Sequence, residues 1–523
     1  MTYMTQSDDL LTISGQELNI DDVVSVADGR LVRLDPSTVP GIERSRAAVD
    51  RLVAEGQIAY GITTGFGRLK DKLVSGEQTR RLQLNLVRSH AVGVGPPLDE
   101  RVVRAMLLVR ANTLAKGYSG VRLTVLSSLL DMLNRGVHPY IPSQGSLGAS
   151  GDLAPLAHMA LVMIGEGKAY YDGELLNGKA ALERAGLKAV ELEAKEGLAI
   201  LNGTAFMVGL GALLVRRAIN LVLTADIAAC LSLEALNGTD RAYDERVHAL
   251  RPHPRQIDCA AFLRKLVAGS EYLRVDEPNN VQDPYTLRCV PQVHGAVRDA
   301  VAYSQWVMEI EVNAVNDNPI ILVDEDTGDV DVISAGNFHG EPIALCMDYM
   351  KLALADLGNM SERRIERLLD ADSNQQVLPM FLTEHGGIES GMMMAQYTAA
   401  ALASENKVLV HPASADSIPS SANVEDHVSM GATAVRHTEQ VIRHVETIIA
   451  IELLTAAQGI DFRRRELGDR SMGKGTKIAY DAVRECVPFL STDETLAPYI
   501  EALHQLVVSG TMKRSVERKL GMP

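Results

Sequence analysis

Apolar residues recur at helical spacing along most of the chain. Between Leu98 and Lys116, the positions Val102, Val103, Met106, Leu107, Val109 and Leu114 trace a helix that Gly117 and then Ser119-Gly120 end. Val121 to Asn134 repeats the pattern and is closed by Gly136, Pro139 and Pro142. The most apolar stretch, Met207 to Leu236, would be about 45 Å long as an unbroken helix. Arg216, Arg217, Asp226 and Glu234 interrupt it, and charges at bilayer depth are costly, so the pattern predicts a helix buried among helices and no membrane span. Pro342 to Leu369 and Ala434 to Gln458 are two further long stretches of this kind.

Strand signals are few. Ile320 to Val323 and Val330 to Ile333, separated by a turn rich in Asp and Gly, read as one β-hairpin, and Tyr170 to Leu175 as a smaller one. No low-complexity tract, linker or fixed-period repeat divides the chain. The expectation is a single mainly α unit over residues 1–523, an extended bundle of long helices with minor β-hairpins. Within it, about 1–200 holds the glycine-rich segments, and about 201–523 holds the long-helix bundle and C-terminal region.

Composition narrows the function classes. The net charge of −16, from 51 basic and 67 acidic residues, excludes the basic face a nucleic-acid partner requires and favours solubility. The five cysteines (Cys230, Cys259, Cys289, Cys346, Cys486) are odd in number and never in a C-x-x-C pair, as in a reduced cytosolic protein. The polar, acidic stretch Met1 to Ile20 is no signal peptide, so a cytoplasmic location without membrane attachment is expected. His90, His158, His339, His411 and His427 are scattered singly, with no H-x-x-x-H or H-E-x-x-H spacing, so no catalytic metal is expected.

The run Gly145 to Leu156 (GSLGASGDLAPL) carries the chemistry. Its glycines allow backbone conformations that side chains forbid, and Asp152 and Pro155 suit the opening of a helix. Ala149-Ser150-Gly151 is the minimum for a backbone cyclisation. The nitrogen of Gly151 attacks the carbonyl carbon of Ala149, which needs a tight bend and no Cβ on the attacking residue. Loss of one water from the new ring and one from the Ser150 side chain leaves a methylidene-imidazolone, a conjugated electrophile. A nearby helix N-terminus would stabilise negative charge on it. Taken alone, the tripeptide reads as a flexible glycine loop before a helix and proves nothing.

Seven other stretches decide between these readings: Tyr60 to Gly67 (YGITTGFG), Asn85 to His90 (NLVRSH), Leu201 to Thr204 (LNGT), Gln282 to Arg288 (QDPYTLR), Asn313 to Pro319, Gly336 to His339 (GNFH) and Ser421 to Met430. With Gly145 to His158, in this order and over nearly the whole length, the chain resembles the histidine and aromatic amino-acid ammonia-lyases. The resemblance implies a cytosolic homotetramer with active sites shared between subunits, and a 4-methylidene-imidazol-5-one formed from Ala149-Ser150-Gly151 with no diffusible cofactor. It places Ser150 at the centre of the electrophile and Tyr60 as the base on a lid loop whose Gly61, Gly65 and Gly67 suit closure. A tyrosine needs a positive environment for that task near neutral pH. Arg288 matches the residue that holds the substrate carboxylate, for which a guanidinium fork is suited. Asn202, Gln282 and Tyr285 match polar residues around the cofactor and the amino-acid end of the substrate, and Phe338 an aromatic beside the cofactor.

Two clues address the side chain of the substrate. Ser89-His90 matches the histidine lyases, though some tyrosine lyases and aminomutases share it. Glu425-Asp426-His427 also matches the histidine lyases, and Glu425 offers a carboxylate to an imidazole N–H. The expected reaction is deamination of L-histidine to urocanate. Thr63 and Val424 depart from the histidine-lyase pattern and leave a tyrosine or mixed aromatic lyase, or an aminomutase, as alternatives. A helical scaffold without activity is disfavoured because Tyr60, Ala149, Ser150, Gly151 and Arg288 are all present.

Overall fold

The structure, a computed structural model, describes residues 10–59, 61–64, 76–275 and 280–521. It is mostly helical. The chain forms two compact units: one comprises Met1–Arg216, Ser304–Asp348 and Pro412–Arg436, the other Arg217–Tyr303, Tyr349–His411 and His437–Pro523.

Four of the five predicted helices are present with small shifts at their ends, and the fifth is longer than predicted. Glu100–Ala115 begins where the Asp99 side chain accepts from the Arg101 N–H, and ends before Gly117, whose φ of +78° suits glycine. Every residue from Val102 to Ala115 is buried, although the spacing predicts only one apolar face. The polar members are absorbed by backbone: Arg104 donates to the carbonyls of Val26 (2.8 Å) and Leu133 (3.1 Å), and Asn112 to that of Val312 (2.9 Å). Such satisfied groups are tolerated in an interior where unpaired ones are not.

Small sheets decorate the first unit. Ile320–Val323 and Val330–Ile333 pair antiparallel as the predicted hairpin, and Asp324 Oδ1 accepts from the N–H groups of Asp326 and Thr327 to shape the turn. The second hairpin is longer than its sequence signal: Lys168–Tyr171 pairs with Glu174–Asn177 across Asp172-Gly173, both at positive φ. His138–Pro139 adds a third strand to it, and Leu11–Ile13 pairs in parallel with Val32–Leu34. These pairings escape sequence reading because strands of two or three residues are too short for alternation to be distinctive.

In the second unit the charges that break the apolar run become intelligible. Helix Ala205–Ala235 is long and apolar enough by composition to cross a membrane, yet it is mostly buried within the protein. Its Asp226 is wholly buried, receives Nδ1–H of His294 at 2.6 Å and pairs with Arg298. Glu234 accepts from the Gly473 N–H at 2.8 Å. Helix Gly431–Leu467 extends beyond the predicted Gln458 because its end is polar, with Arg463, Arg464 and Arg465 carrying no apolar signal.

A buried cluster organises that unit. Glu452 receives both arms of Arg364 (2.5 and 2.9 Å) and the hydroxyls of Ser232 (2.7 Å) and Ser361 (2.6 Å), with the pair itself inaccessible to solvent. Removing one member of such a pair leaves an uncompensated charge in the interior, which costs about 3–5 kcal/mol. Glu452→Ala therefore lowers the urea midpoint of unfolding sharply, and Arg364→Met together with Glu452→Leu recovers most of the loss. Equal midpoints for the single and double variants would show that the unpaired charge is not the cause.

Candidate active site

Two backbone segments in close contact form the centre of the site. Gly151 (φ +73°) lies beside Gly203 (φ +155°) in a parallel bridge, and the N–H of Asp152 donates to the Gly203 carbonyl at 2.6 Å. A Cβ on Gly151 would overlap that carbonyl, and a Cβ on Gly203 would overlap the Arg110 guanidinium. Both glycines are thus required by space as well as by φ. Gly148 (φ +69°) is held from outside: its carbonyl accepts from Ser429 Oγ (3.0 Å) and the Gly340 N–H (3.2 Å), while the Met430 N–H donates to Leu147 (2.8 Å). The Ala149-Ser150-Gly151 bend is pinned on each side.

Asp152 stands at the start of helix Leu153–Met163, but its side chain makes no capping bond there, contrary to the sequence expectation. Instead Oδ2 accepts from the N–H groups of Phe206 (2.9 Å) and Met207 (3.0 Å), in the first turn of helix Ala205–Ala235. The carboxylate therefore ties the Ala149–Gly151 bend to a second helix N-terminus, where a negative charge is favoured. Burial pushes its pKa up to about 7, against the pull of those two N–H groups, Ser146 and Arg110.

Behind the loop lies a buried polar layer. Arg110 donates to Ala199 O and to Asn316 Oδ1, Asn316 Nδ2 donates to Thr204 Oγ1 (2.7 Å), and Asn202 Nδ2 donates to Asn318 O (2.9 Å). Lys195 Nζ meets Asp317 Oδ2 at 2.6 Å with both side chains inaccessible. Burial lowers the pKa of Arg110 to about 10, with the charges of Asp317 and Asp152 opposing. Apart from Asn202, sequence reading assigned no role to these residues. For Asn316, Asp317 and Asn318 the signal was the polar density of Asn313 to Pro319 inside an otherwise apolar region.

A cleft of about 240 Å³ opens over the bend, lined among others by His90, Ser150, Leu153, Ser420 and Glu425. Ser150 Oγ donates to Glu425 Oε1 at 3.1 Å, and Ser420 Oγ to Oε2 at 2.9 Å. The backbones of Ser420 and Glu425 also bond to each other, so the carboxylate stands on a closed loop. Ser421, Ala422 and Asn423 (φ +50°, +51°, +66°) make its left-handed turn, a strained conformation for the first two. His90 Nδ1 lies 2.9 Å from the Leu86 carbonyl, which can only accept, so the ring carries its proton there and Nε2 is an acceptor when neutral. Burial lowers the pKa of His90, with the Leu86 bond and the charge of Glu425 opposing. Ser420 and the Leu86 carbonyl had no distinguishing mark in the sequence.

The remaining predicted residues divide by location. Ala149 and Asn202 are buried in the first unit, with Asn202 Oδ1 lacking a hydrogen-bond partner, and Phe338 is half-buried there. Gln282, Tyr285 and Arg288 belong to the second unit, where Gln282 and Tyr285 are exposed and the Arg288 guanidinium lies 4.6 Å from the centre of the Tyr285 ring. Tyr60, Gly65 and Gly67 fall outside the described residues. Thr63 is buried, donates its hydroxyl to the Gln57 carbonyl at 2.6 Å and accepts from the Ala59 N–H.

The family model described as aromatic amino acid lyase matches residues 18–485. The chain belongs to that family. As an aromatic amino acid lyase it is a carbon–nitrogen lyase. The histidine ammonia-lyase of Chloroflexus aurantiacus is 58% identical over 503 residues, covering 95% of this chain and 96% of that one. Among solved structures, the histidine ammonia-lyase from Trypanosoma cruzi superposes with a TM-score of 0.89 at 39% identity, over 98% of this chain and 96% of that one. A tyrosine aminomutase from Streptomyces globisporus gives 0.91 at 37% identity, over 97% and 98%.

The raised pKa of Asp152 has a pH consequence for this lyase. The unfolded carboxyl ionises near 3.8 and the folded one near 7, so its contribution to stability is present below about pH 4 and lost as pH rises to about 7. Asp152→Asn removes this dependence, and its stability between pH 4 and 7 runs flatter than that of the parent protein. Parallel curves in urea unfolding at several pH values would mean that Asp152 does not change its protonation on folding.

Proposed function

We propose that the chain eliminates ammonia from L-histidine to give trans-urocanate, using an electrophile made from Ala149-Ser150-Gly151. The observation that carries this reading is the Glu425 carboxylate, bonded to Ser150 Oγ at 3.1 Å and sharing one cleft with His90. The tripeptide fits the implied group: its bend is pinned on both sides, and the attacking position is a glycine where a Cβ would meet the Gly203 carbonyl. When formed, the 4-methylidene-imidazol-5-one supplies an electrophilic carbon that makes the amino group of the substrate a leaving group.

The other roles belong to side chains of this chain. Glu425 accepts the imidazole N–H of the substrate, a charge-assisted bond worth about 1.5–3 kcal/mol, or roughly ten- to hundred-fold in selectivity. A phenol uses two hydrogen-bond acceptors, Glu425 and His90 Nε2, less well. Tyr60 removes the proton from the β-carbon, Arg288 holds the carboxylate, and Asn202, Gln282, Tyr285 and Phe338 shape the amino-acid end. The Thr63 hydroxyl is engaged within its own turn, which weakens it as a marker for a phenolic substrate. The relatives named histidine ammonia-lyase support the choice of histidine.

A cytosolic homotetramer with shared active sites completes the reading. Helix Glu341–Leu369 exposes Leu345, Tyr349 and Leu352, an apolar stripe at helical spacing suited to a second copy of the chain. The acidic composition of the chain, net charge −16, suits a soluble enzyme.

Ultraviolet assays with L-histidine, L-tyrosine and L-phenylalanine separate the alternatives. Urocanate forms from histidine and no cinnamate-type product from the others; coumarate in place of urocanate would assign a tyrosine lyase instead. Ser150→Ala folds and shows only background turnover, since it cannot form the methylidene carbon; parental activity would refute the electrophile. Glu425→Gln lowers kcat/KM for histidine about ten- to hundred-fold and shifts the preference towards tyrosine. An unchanged ratio would remove Glu425 from substrate selection.

A further inference from the structure

We infer that His339, Glu341 and His427 form a binding site for a divalent transition-metal ion of the zinc or nickel kind, separate from the residues assigned to the lyase reaction. His339 and Glu341 flank the start of helix Glu341–Leu369, and His427 comes from the segment that follows Glu425. One ligand atom from each lies within 4.8 Å of the others. His427 Nε2 is 3.8 Å from Glu341 Oε2, and the two imidazole rings are parallel to within 2° with centres 5.6 Å apart.

The oxygen of Glu341 in this cluster is buried and has no hydrogen-bond partner, an arrangement that favours a cation. The imidazoles give up little to receive one. The Glu341 N–H reaches His339 Nδ1 at 3.3 Å, His339 Nε2 reaches the His427 carbonyl at 3.4 Å, and Ser417 Oγ reaches His427 Nδ1 at 3.4 Å. Two imidazoles and one carboxylate, with water completing the shell, is a zinc-type ligand set, and the lack of a thiolate favours ions that prefer imidazole.

Metal–nitrogen bonds of about 2.0–2.1 Å require the ligand atoms to draw together. The His427 side chain, 66% exposed, is placed to make that movement. The positive end of the helix dipole at Glu341 opposes the ion, but that effect is small at an exposed site. The other cluster of metal-ligating side chains among the described residues, Asp226, Cys259 and His294, is wholly buried and already holds the Arg298 guanidinium. A bound ion at His339, Glu341 and His427 would tie the start of a long helix to the segment carrying Glu425.

Chelator-treated full-length protein titrated calorimetrically with zinc chloride should take up one ion per chain saturably and gain thermal stability. His339→Ala and His427→Ala each weaken binding at least tenfold and abolish the gain in Tm, whereas Cys259→Ser leaves both unchanged. Circular dichroism of His427→Ala, whose side chain is exposed, verifies that the variant is folded. Absence of saturable uptake, or uptake unaffected by either histidine substitution, overturns the assignment.

Discussion

The approach of Gly151 to the Gly203 carbonyl constrains everything around it. Two chain segments some fifty residues apart meet backbone to backbone, with no side chain between them, and the Asp152 N–H closes the contact at 2.6 Å. A bend this tight at Ala149-Ser150-Gly151 cannot be maintained by local preference alone, because glycine is as free to leave such a conformation as to enter it. It is maintained by its surroundings: the Asp152 side chain on helix Ala205–Ala235, and the bonds from Gly340, Ser429 and Met430 on the opposite side.

Electrostatics follow from that geometry. The first unit keeps Arg110, Lys195, Asp317 and Asp152 out of water within a small region, and each has a defined partner. Buried charge is a poor source of stability but a strict one for orientation, since any displacement leaves an ion uncompensated. The second unit repeats the device around Glu452 and Asp226. The cleft differs in kind. His90 and Glu425 are only partly buried there, and both present acceptors to whatever enters.

Much of this was legible in the residues. Long apolar periods located the helices, the Asp/Gly turn located the hairpin at Ile320–Ile333, and the glycine-rich run located the candidate chemistry. The parts that were not legible share a physical cause. Asp152 looks like the cap of its own helix, and only tertiary structure reveals that it serves another. Strands such as Leu11–Ile13 are too short for alternation to stand out from chance. The all-round burial of Glu100–Ala115 depends on carbonyl acceptors on distant segments, which no spacing within the helix encodes. Ser420 matters because a left-handed turn folds it back onto Glu425, and three consecutive non-glycine residues at positive φ have no reliable sequence signature.

The dependence of the Ala149–Gly151 bend on Asp152 and helix Ala205–Ala235 also sets an order of events. If the ring forms as proposed, its closure must follow the docking of these segments, because a nascent chain that ends before residue 206 lacks both N–H groups from which Asp152 accepts. Covalent maturation then becomes a record of correct tertiary assembly: a chain trapped in a misfolded state keeps an ordinary Ser150, and its mass alone distinguishes it from its finished neighbours.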